Sequence, residues 1–164
     1  MTPLQIAVEA LMDIAAGRAE LDDWGDYNPQ RIARAALHKR KLNKQMVYAL
    51  VLIYRELHEK NEWLHVPSYL HKTAATGPTV RGGDWAKLVH WGLITAKAGE
   101  RADGSKRVGF YRLTDKGRAF VESKIKVPKH VFLYAERFVG TSSEMVSILD
   151  ASKAFFDYRE LMDG

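Results

Sequence analysis

Between Asp84 and Ser123 the hydrophobic pattern changes period twice, and this order of segments restricts the fold more than any other stretch. Trp85, Leu88 and Val89 recur at helical spacing behind Asp84, a residue suited to capping a helix start. Trp91 is expected to straddle core and surface, and Gly92 ends the segment. Residues 93–97 then alternate, with Leu93, Thr95 and Lys97 against Ile94 and Ala96, as a half-buried strand requires. The polar stretch 98–107 contains Asp103-Gly104, a strong turn signal. Residues 108–113 return with Val108, Phe110 and Arg112 opposite Gly109, Tyr111 and Leu113. Thr114 then caps a helix expected to bury Ala119, Phe120 and Val121.

Upstream, Thr2-Pro3 with Gln5 reads as a capped helix start, Leu4, Val8, Leu11 and Ala15 form its apolar stripe, and Gly17 is its expected end. Residues 18–27 read as an acidic loop. A second helix is expected from Asn28 to Lys39, with Arg31, Arg34 and His38 outward. The run His38-Lys39-Arg40-Lys41 is the densest basic stretch. Either it holds phosphates, or it is a solvated helix end where cations favour the helix dipole. Asn43 caps the strongest helix, expected over 44–60, whose stripe of Met46, Val47, Leu50, Val51, Tyr54 and Leu57 is widened by Leu52 and Ile53. Such a helix is expected to be covered on two sides. Residues 63–67 read as a small first strand and Ser68 as the start of a helical turn.

Past Pro128 the pattern predicts a hairpin, 130–134 with 137–140, turning at Ala135-Glu136, then a last helical stretch capped by Asp150 and running through Phe155-Phe156 to Leu161. The aromatics of this tail read as core or interface.

The chain has 164 residues with 46% hydrophobic and 27% charged content, the profile of a globular protein with room for one full core. It has no cysteine, which excludes disulfides and thiolate zinc sites. No apolar run approaches the roughly 20 residues of a membrane span. Glu9 and Asp13 interrupt any signal-peptide core, so a cytoplasmic protein with no membrane partner is expected. The net charge of +5 is unevenly spread: residues 1–27 hold one Lys/Arg against six Asp/Glu, 28–61 hold eight against two, and 79–118 hold nine against four. Two basic blocks between acidic ends suit a polyanionic partner.

The segment Leu113-Thr-Asp-Lys-Gly-Arg-Ala and the Trp-Gly-Leu-Ile helix ending closely resemble the corresponding parts of MarR- and PadR-type winged helix-turn-helix regulators, over about residues 43–123. The stretch from Gly82 to Ile94, with Val127-Pro-Lys-His-Val-Phe-Leu-Tyr, also resembles uncharacterised small phage and bacterial proteins, which implies no activity. The winged-helix resemblance implies an α+β, mainly helical fold with a three-stranded wing sheet, flanked by a helical extension over 1–42 and a small hairpin and helix over 127–164. It implies a DNA-binding transcription regulator, acting as a dimer on duplex DNA. The recognition-helix position falls on 84–91, with Thr79, Val80 and Arg81 leading in and Arg81, Lys87 and His90 near bases. The wing falls on 98–107, with Arg101, Ser105, Lys106 and Arg107 on phosphates. The block formed by Arg31, Arg34, Lys39, Arg40, Lys41 and Lys44 supplies further phosphate contacts. Asp84 and the Gly82-Gly83 pair depart from that pattern, since each glycine inside a helix costs about 1 kcal/mol relative to Ala. The alternative is a protein-interaction module on the same scaffold, an adaptor or inhibitor of a nucleic-acid-handling complex, favoured by the acidic start and aromatic tail.

No catalytic signature is present. His38, His58, His65, His71, His90 and His130 form no His-Glu-x-x-His pair, and neither a phosphate loop nor a Gly-x-Ser-x-Gly elbow occurs. A protein without metal, cofactor or enzymatic activity is expected.

Overall fold

The computed structural model describes residues 37–98, 109–134, 137–153 and 155–163. The helix expected over 2–17, residues 28–36 of the helix expected over 28–39, and residues 99–107 of the hairpin tip expected over 98–107 lie outside the described residues. The described chain is α+β, and its strand pairs are all antiparallel. It divides into two units: residues 37–41 with 129–144, and residues 42–128 with 145–163.

The first unit is a three-stranded sheet. The stretch read from sequence as a basic helix end is instead strand β1 (Leu37–Lys41), paired along its whole length with β6 (His130–Tyr134). Five backbone pairings outweigh the weak helical preference of Lys and Arg, a case of tertiary context overriding propensity. Beyond β6 lies β7 (Arg137–Thr141), giving the order β1-β6-β7. The expected hairpin is present, with Tyr134 opposite Arg137 and a register shift after Phe132. Val131 and Leu133 are fully buried on one face, while Phe132 is half-buried and Tyr134 exposed on the other, as period-two alternation requires.

In the second unit, α1 (Lys44–Leu57) starts where the sequence predicts. The Asn43 side chain accepts a 2.9 Å bond from the Met46 amide. All eight residues from Met46 to Ile53 are buried, so the helix is enclosed rather than amphipathic. Strand β2 (Leu64–His65) is shorter than expected because Val66 and Pro67 already belong to α2 (Val66–Thr73), with the proline in its first turn.

The segment expected as an α-helix capped by Asp84 is a 3₁₀ helix over Asp84–Trp91, with Gly83 at the cap position and no side-chain cap bond. The cause is legible in spacing. Trp85, Leu88 and Trp91 are three residues apart, and 3.0 residues per turn eclipses them on one face. All three are buried. Trp91 does not straddle the surface: its ring is 2% exposed and its Nε1 donates to the Pro128 carbonyl at 2.7 Å. Gly92, at φ 71°, ends the helix in the left-handed region where a side chain would be strained.

Strands β3 (Ile94–Ala96) and β4 (Phe110–Leu113) follow, and β4 lies centrally in the order β2-β4-β3. Helix α3 (Asp115–Val121) is joined to this sheet through Thr114. The Thr114 hydroxyl donates to the Gly92 carbonyl at 2.6 Å and accepts from the Gly117 amide at 2.9 Å, while its own amide donates to Leu93 at 3.2 Å. A Cβ at Gly117 would collide with the Leu93 carbonyl, so this approach requires glycine.

The remaining chain folds back on this unit. Strands β5 (Val127–Pro128) and β8 (Met145–Val146) pair with each other. Helix α4 (Ile148–Ser152) is capped by Ser147, not Asp150. Asp150 is instead the reciprocal partner three residues on, completing a capping box. The helix ends at Ser152, and a separate α5 spans Tyr158–Asp163. Phe155 and Phe156 lie between them, their rings 5.8 and 5.2 Å from that of Tyr48. The Tyr158 hydroxyl donates to the Val121 carbonyl, tying α5 to the end of α3. No described helix is long and apolar enough to cross a membrane.

Candidate functional site

The residues singled out in sequence fall into three groups. Arg31, Arg34, Arg101, Ser105, Lys106 and Arg107 lie outside the described residues. Lys39, Arg40 and Lys41 belong to the first unit, and Lys44, Thr79, Arg81, Lys87 and His90 to the second. The basic block read as continuous from Arg31 to Lys44 is thus divided between units at Lys41. Because 38–41 is a strand, its cations do not share a helix face. Lys39 and Lys41 stand with Phe132 and His130, while Arg40 stands with buried Val131. Arg40 is half-buried, and its Nε is enclosed without a hydrogen-bond partner among the described residues.

Within the second unit, distant sequence is drawn together ahead of the 3₁₀ helix. The Arg81 amide donates to the Gln45 side chain at 3.1 Å, which sets Arg81 beside the first turn of α1 and its exposed Lys44. Thr79 and Arg81 are exposed. Lys87 and His90 are half-buried, and three-residue periodicity aligns them with exposed Asp84 on a single ridge. That ridge therefore carries mixed charge.

The outer face of the β2-β4-β3 sheet holds cations that the sequence reading did not assign. Register places Phe110 opposite His65 and Arg112 opposite Thr95. The Arg112 guanidinium lies 4.7 Å from the Trp63 ring centroid, and Lys97 Nζ lies 5.6 Å from Trp63 and 5.9 Å from Phe110. These are cation–π distances. The His65 and Phe110 rings are 5.0 Å apart. The signal is the alternation itself, which sends Phe110 and Arg112 to the same side.

Beside this face, Asn61, Thr95, Arg112, Asp115 and Arg118 line an open cleft of about 430 Å³. Arg118 pairs with Asp115 at 3.2 Å, and its Nε is enclosed without a partner among the described residues. Two guanidiniums and the Asp115 carboxylate thus line one cleft. A second cleft of about 320 Å³ lies along α1 and α2 between Tyr48, Arg55, Glu56, Tyr69 and Thr73. The Tyr69 hydroxyl there is committed to the Leu52 carbonyl at 3.0 Å, and burial pushes its pKa up.

Other titrating contacts are structural ties. Tyr54 donates to Glu122 at 3.2 Å, and burial above all raises the Tyr54 pKa. The Lys124 ammonium, 2.7 Å from Glu122, holds that carboxyl below its usual range. In the first unit burial lowers the His130 pKa, aided by the Lys39, Lys129 and Lys41 cations and opposed by Glu144. Among the described residues no group of three or more His, Asp or Glu side chains is set to hold a metal ion.

Comparisons with protein-family models, with curated proteins and with solved structures return no match to this chain.

Proposed function

We propose that the second unit is a winged helix-turn-helix module that binds duplex DNA, as a small cytoplasmic transcription regulator acting as a homodimer. The fold reading is supported by the element order: α1, the short β2, α2, the 3₁₀ helix, then β3 and β4 with β4 between β2 and β3. In this reading the 3₁₀ helix faces the major groove, which admits one helix, and the β3–β4 hairpin follows a phosphate strand. Thr79, Arg81, Lys87 and His90 serve the groove; Lys44, Lys97, Arg112, Lys106 and Arg107 serve the backbone.

One observation carries the reading. The Gln45–Arg81 bond gathers Lys44 and Arg81, 37 positions apart, at the entrance to the Lys87–His90 ridge. Gathering cations from separate segments onto one edge is what a polyanion site needs. Asp84 on the same ridge acts against close phosphate approach, so the reading predicts that Asp84→Asn tightens duplex binding.

The test is a mobility shift on random-sequence duplex with wild type and the Arg81→Ala/Lys87→Ala double variant. A cation at the groove edge also neutralises the phosphates that flank it, so loss of both is expected to flatten the log affinity–log salt slope by up to about 1.8. An unchanged slope removes this edge from DNA contact.

The alternative, a protein-interaction module, is favoured by one observation. Met145 and Leu149 are 47% and 43% exposed in the same unit. Failure of any duplex to bind at low salt, with Met145→Ser/Leu149→Ser abolishing self-association, selects that reading.

A further inference from the structure

One face of the sheet β1-β6-β7 combines exposed cations with aromatic rings. Directly paired residues in antiparallel strands share a face. One such face carries Lys41 beside His130, Lys39 beside Phe132, and Arg137 beside Tyr134. Lys39, Lys41 and Arg137 are exposed, Tyr134 is 40% exposed and Phe132 half-buried. Gly140 stands opposite Phe132 on the β7 side.

The charge is one-sided. Over the described residues of this unit the cations are Lys39, Arg40, Lys41, Lys129 and Arg137, and Glu144 is the single carboxylate. Glu144 is held by Lys129 at 3.0 Å. No ion pair engages Lys39, Lys41 or Arg137 among the described residues. The opposite face, with Val131 and Leu133, is the buried one, so this face is turned away from the unit's core.

The aromatic spacing completes the picture. Phe132 and Tyr134 are two residues apart on one strand, hence about 6.8 Å apart along it. That is about twice the 3.4 Å rise per nucleotide of a stacked strand. A flanking row of cations at that spacing matches phosphates on either side of two bases. Bases within a duplex have their faces occupied by neighbouring bases, so only an unpaired strand can present them to these rings.

We propose that this sheet face binds a single strand of DNA, with bases stacked on Phe132 and Tyr134 and phosphates held by Lys39, Lys41 and Arg137. Stacking tolerates any base, so the site discriminates unpaired from paired DNA rather than one sequence from another. It uses none of the residues of the duplex site proposed on the second unit, although Lys39 and Lys41 belong to the basic block that the sequence assigned to phosphates.

The experiment uses the full chain and a fluorescein-labelled oligothymidylate of about fifteen nucleotides, within the range of single-strand site sizes. Fluorescence anisotropy is expected to give saturable binding that weakens with salt. Tyr134→Ala is expected to weaken it roughly 5- to 150-fold, the range for one stacked base, and Tyr134→Phe, which keeps the ring, to stay within about 2-fold. The Lys39→Glu/Lys41→Glu variant is expected to flatten the salt slope by at least about 1.4, from two single-strand phosphate contacts. Lys72→Ala, which removes an exposed cation of the other unit, is expected to leave oligothymidylate binding unchanged. Circular dichroism and thermal melting confirm that each variant folds. Wild-type affinity in both the Tyr134→Ala and Lys39→Glu/Lys41→Glu proteins overturns the site. So does binding that a random duplex of equal length displaces as well as the unlabelled oligothymidylate. An oligouridylate bound at least ten times more tightly overturns the commitment to DNA.

Discussion

The two three-stranded sheets are built from similar side chains put to different uses. In β2-β4-β3 the cations of the outer face are already engaged: Arg112 lies on Trp63, and Lys97 lies near both Trp63 and Phe110. In β1-β6-β7 the exposed cations Lys39, Lys41 and Arg137 flank Phe132 and Tyr134 with no cation–π contact among the described residues. In the first sheet the cations lie against rings of their own unit. The second leaves them directed at solvent, where a polyanion is the complementary ligand. Composition alone does not separate these roles; register and ring geometry do.

The sharpest way to break the comparison is to attack what makes the first sheet rigid. Gly117→Ala drives a methyl into the Leu93 carbonyl at the Thr114 corner and is expected to cost about 3 kcal/mol, the upper end for overpacking. A urea midpoint equal to wild type would show that α3 can shift away from β3 freely. Next in size, Trp91→Phe leaves the Pro128 carbonyl without its donor and a void where the larger indole stood, an expected loss of about 1–3 kcal/mol in the same measurement.

Matched deletions then compare the sheets directly. Arg112→Ala removes a stacked cation and is expected to destabilise by about 0.5–1 kcal/mol. Lys41→Ala is expected to stay within about 0.5 kcal/mol, as for an ordinary surface position. Equal losses would erase the distinction drawn between the two faces.

A smaller effect reports on the potential of the second sheet. Burial and the surrounding Lys39, Lys129 and Lys41 charges favour neutral His130, so its folded pKa lies below the ordinary imidazole value. The unfolded chain then binds the proton more readily. Stability is full above the ordinary imidazole pKa and falls as pH drops through it toward the folded value. Proton NMR titration of the ring is expected to show the depressed pKa, and Lys39→Ala is expected to move it upward. No movement would mean that Lys39 does not act on this face.

How much of this was written in the sequence depended on whether the signal was local. The Asn43 and Thr114 caps were legible because a side chain bonding an amide three residues on leaves a short-range signature. The enclosed character of α1 followed from its lack of a polar face. The β6–β7 hairpin was found despite a poor turn dipeptide, since alternation on both sides carried it. The strand at 37–41 was missed because its partner lies about 90 residues away, and Lys-Arg runs have no strand signature of their own. The 3₁₀ helix was missed by counting helical spacing without noticing the three-residue step of Trp85, Leu88 and Trp91. Of the candidate site, the individual cations were legible. Their division between units was not, nor was the Gln45–Arg81 contact that joins two of them.

As proposed, polyanion contact on the second unit runs along the edge from Lys44 and Arg81 to His90. The most direct measurement is a backbone amide NMR titration of the labelled chain with random duplex DNA at low salt. The prediction is saturable shifts concentrated at Lys44, Thr79, Arg81, Lys87 and His90, reversed by added salt. Shifts confined to the Met145–Leu149 surface, or no shifts at any duplex concentration, would contradict it.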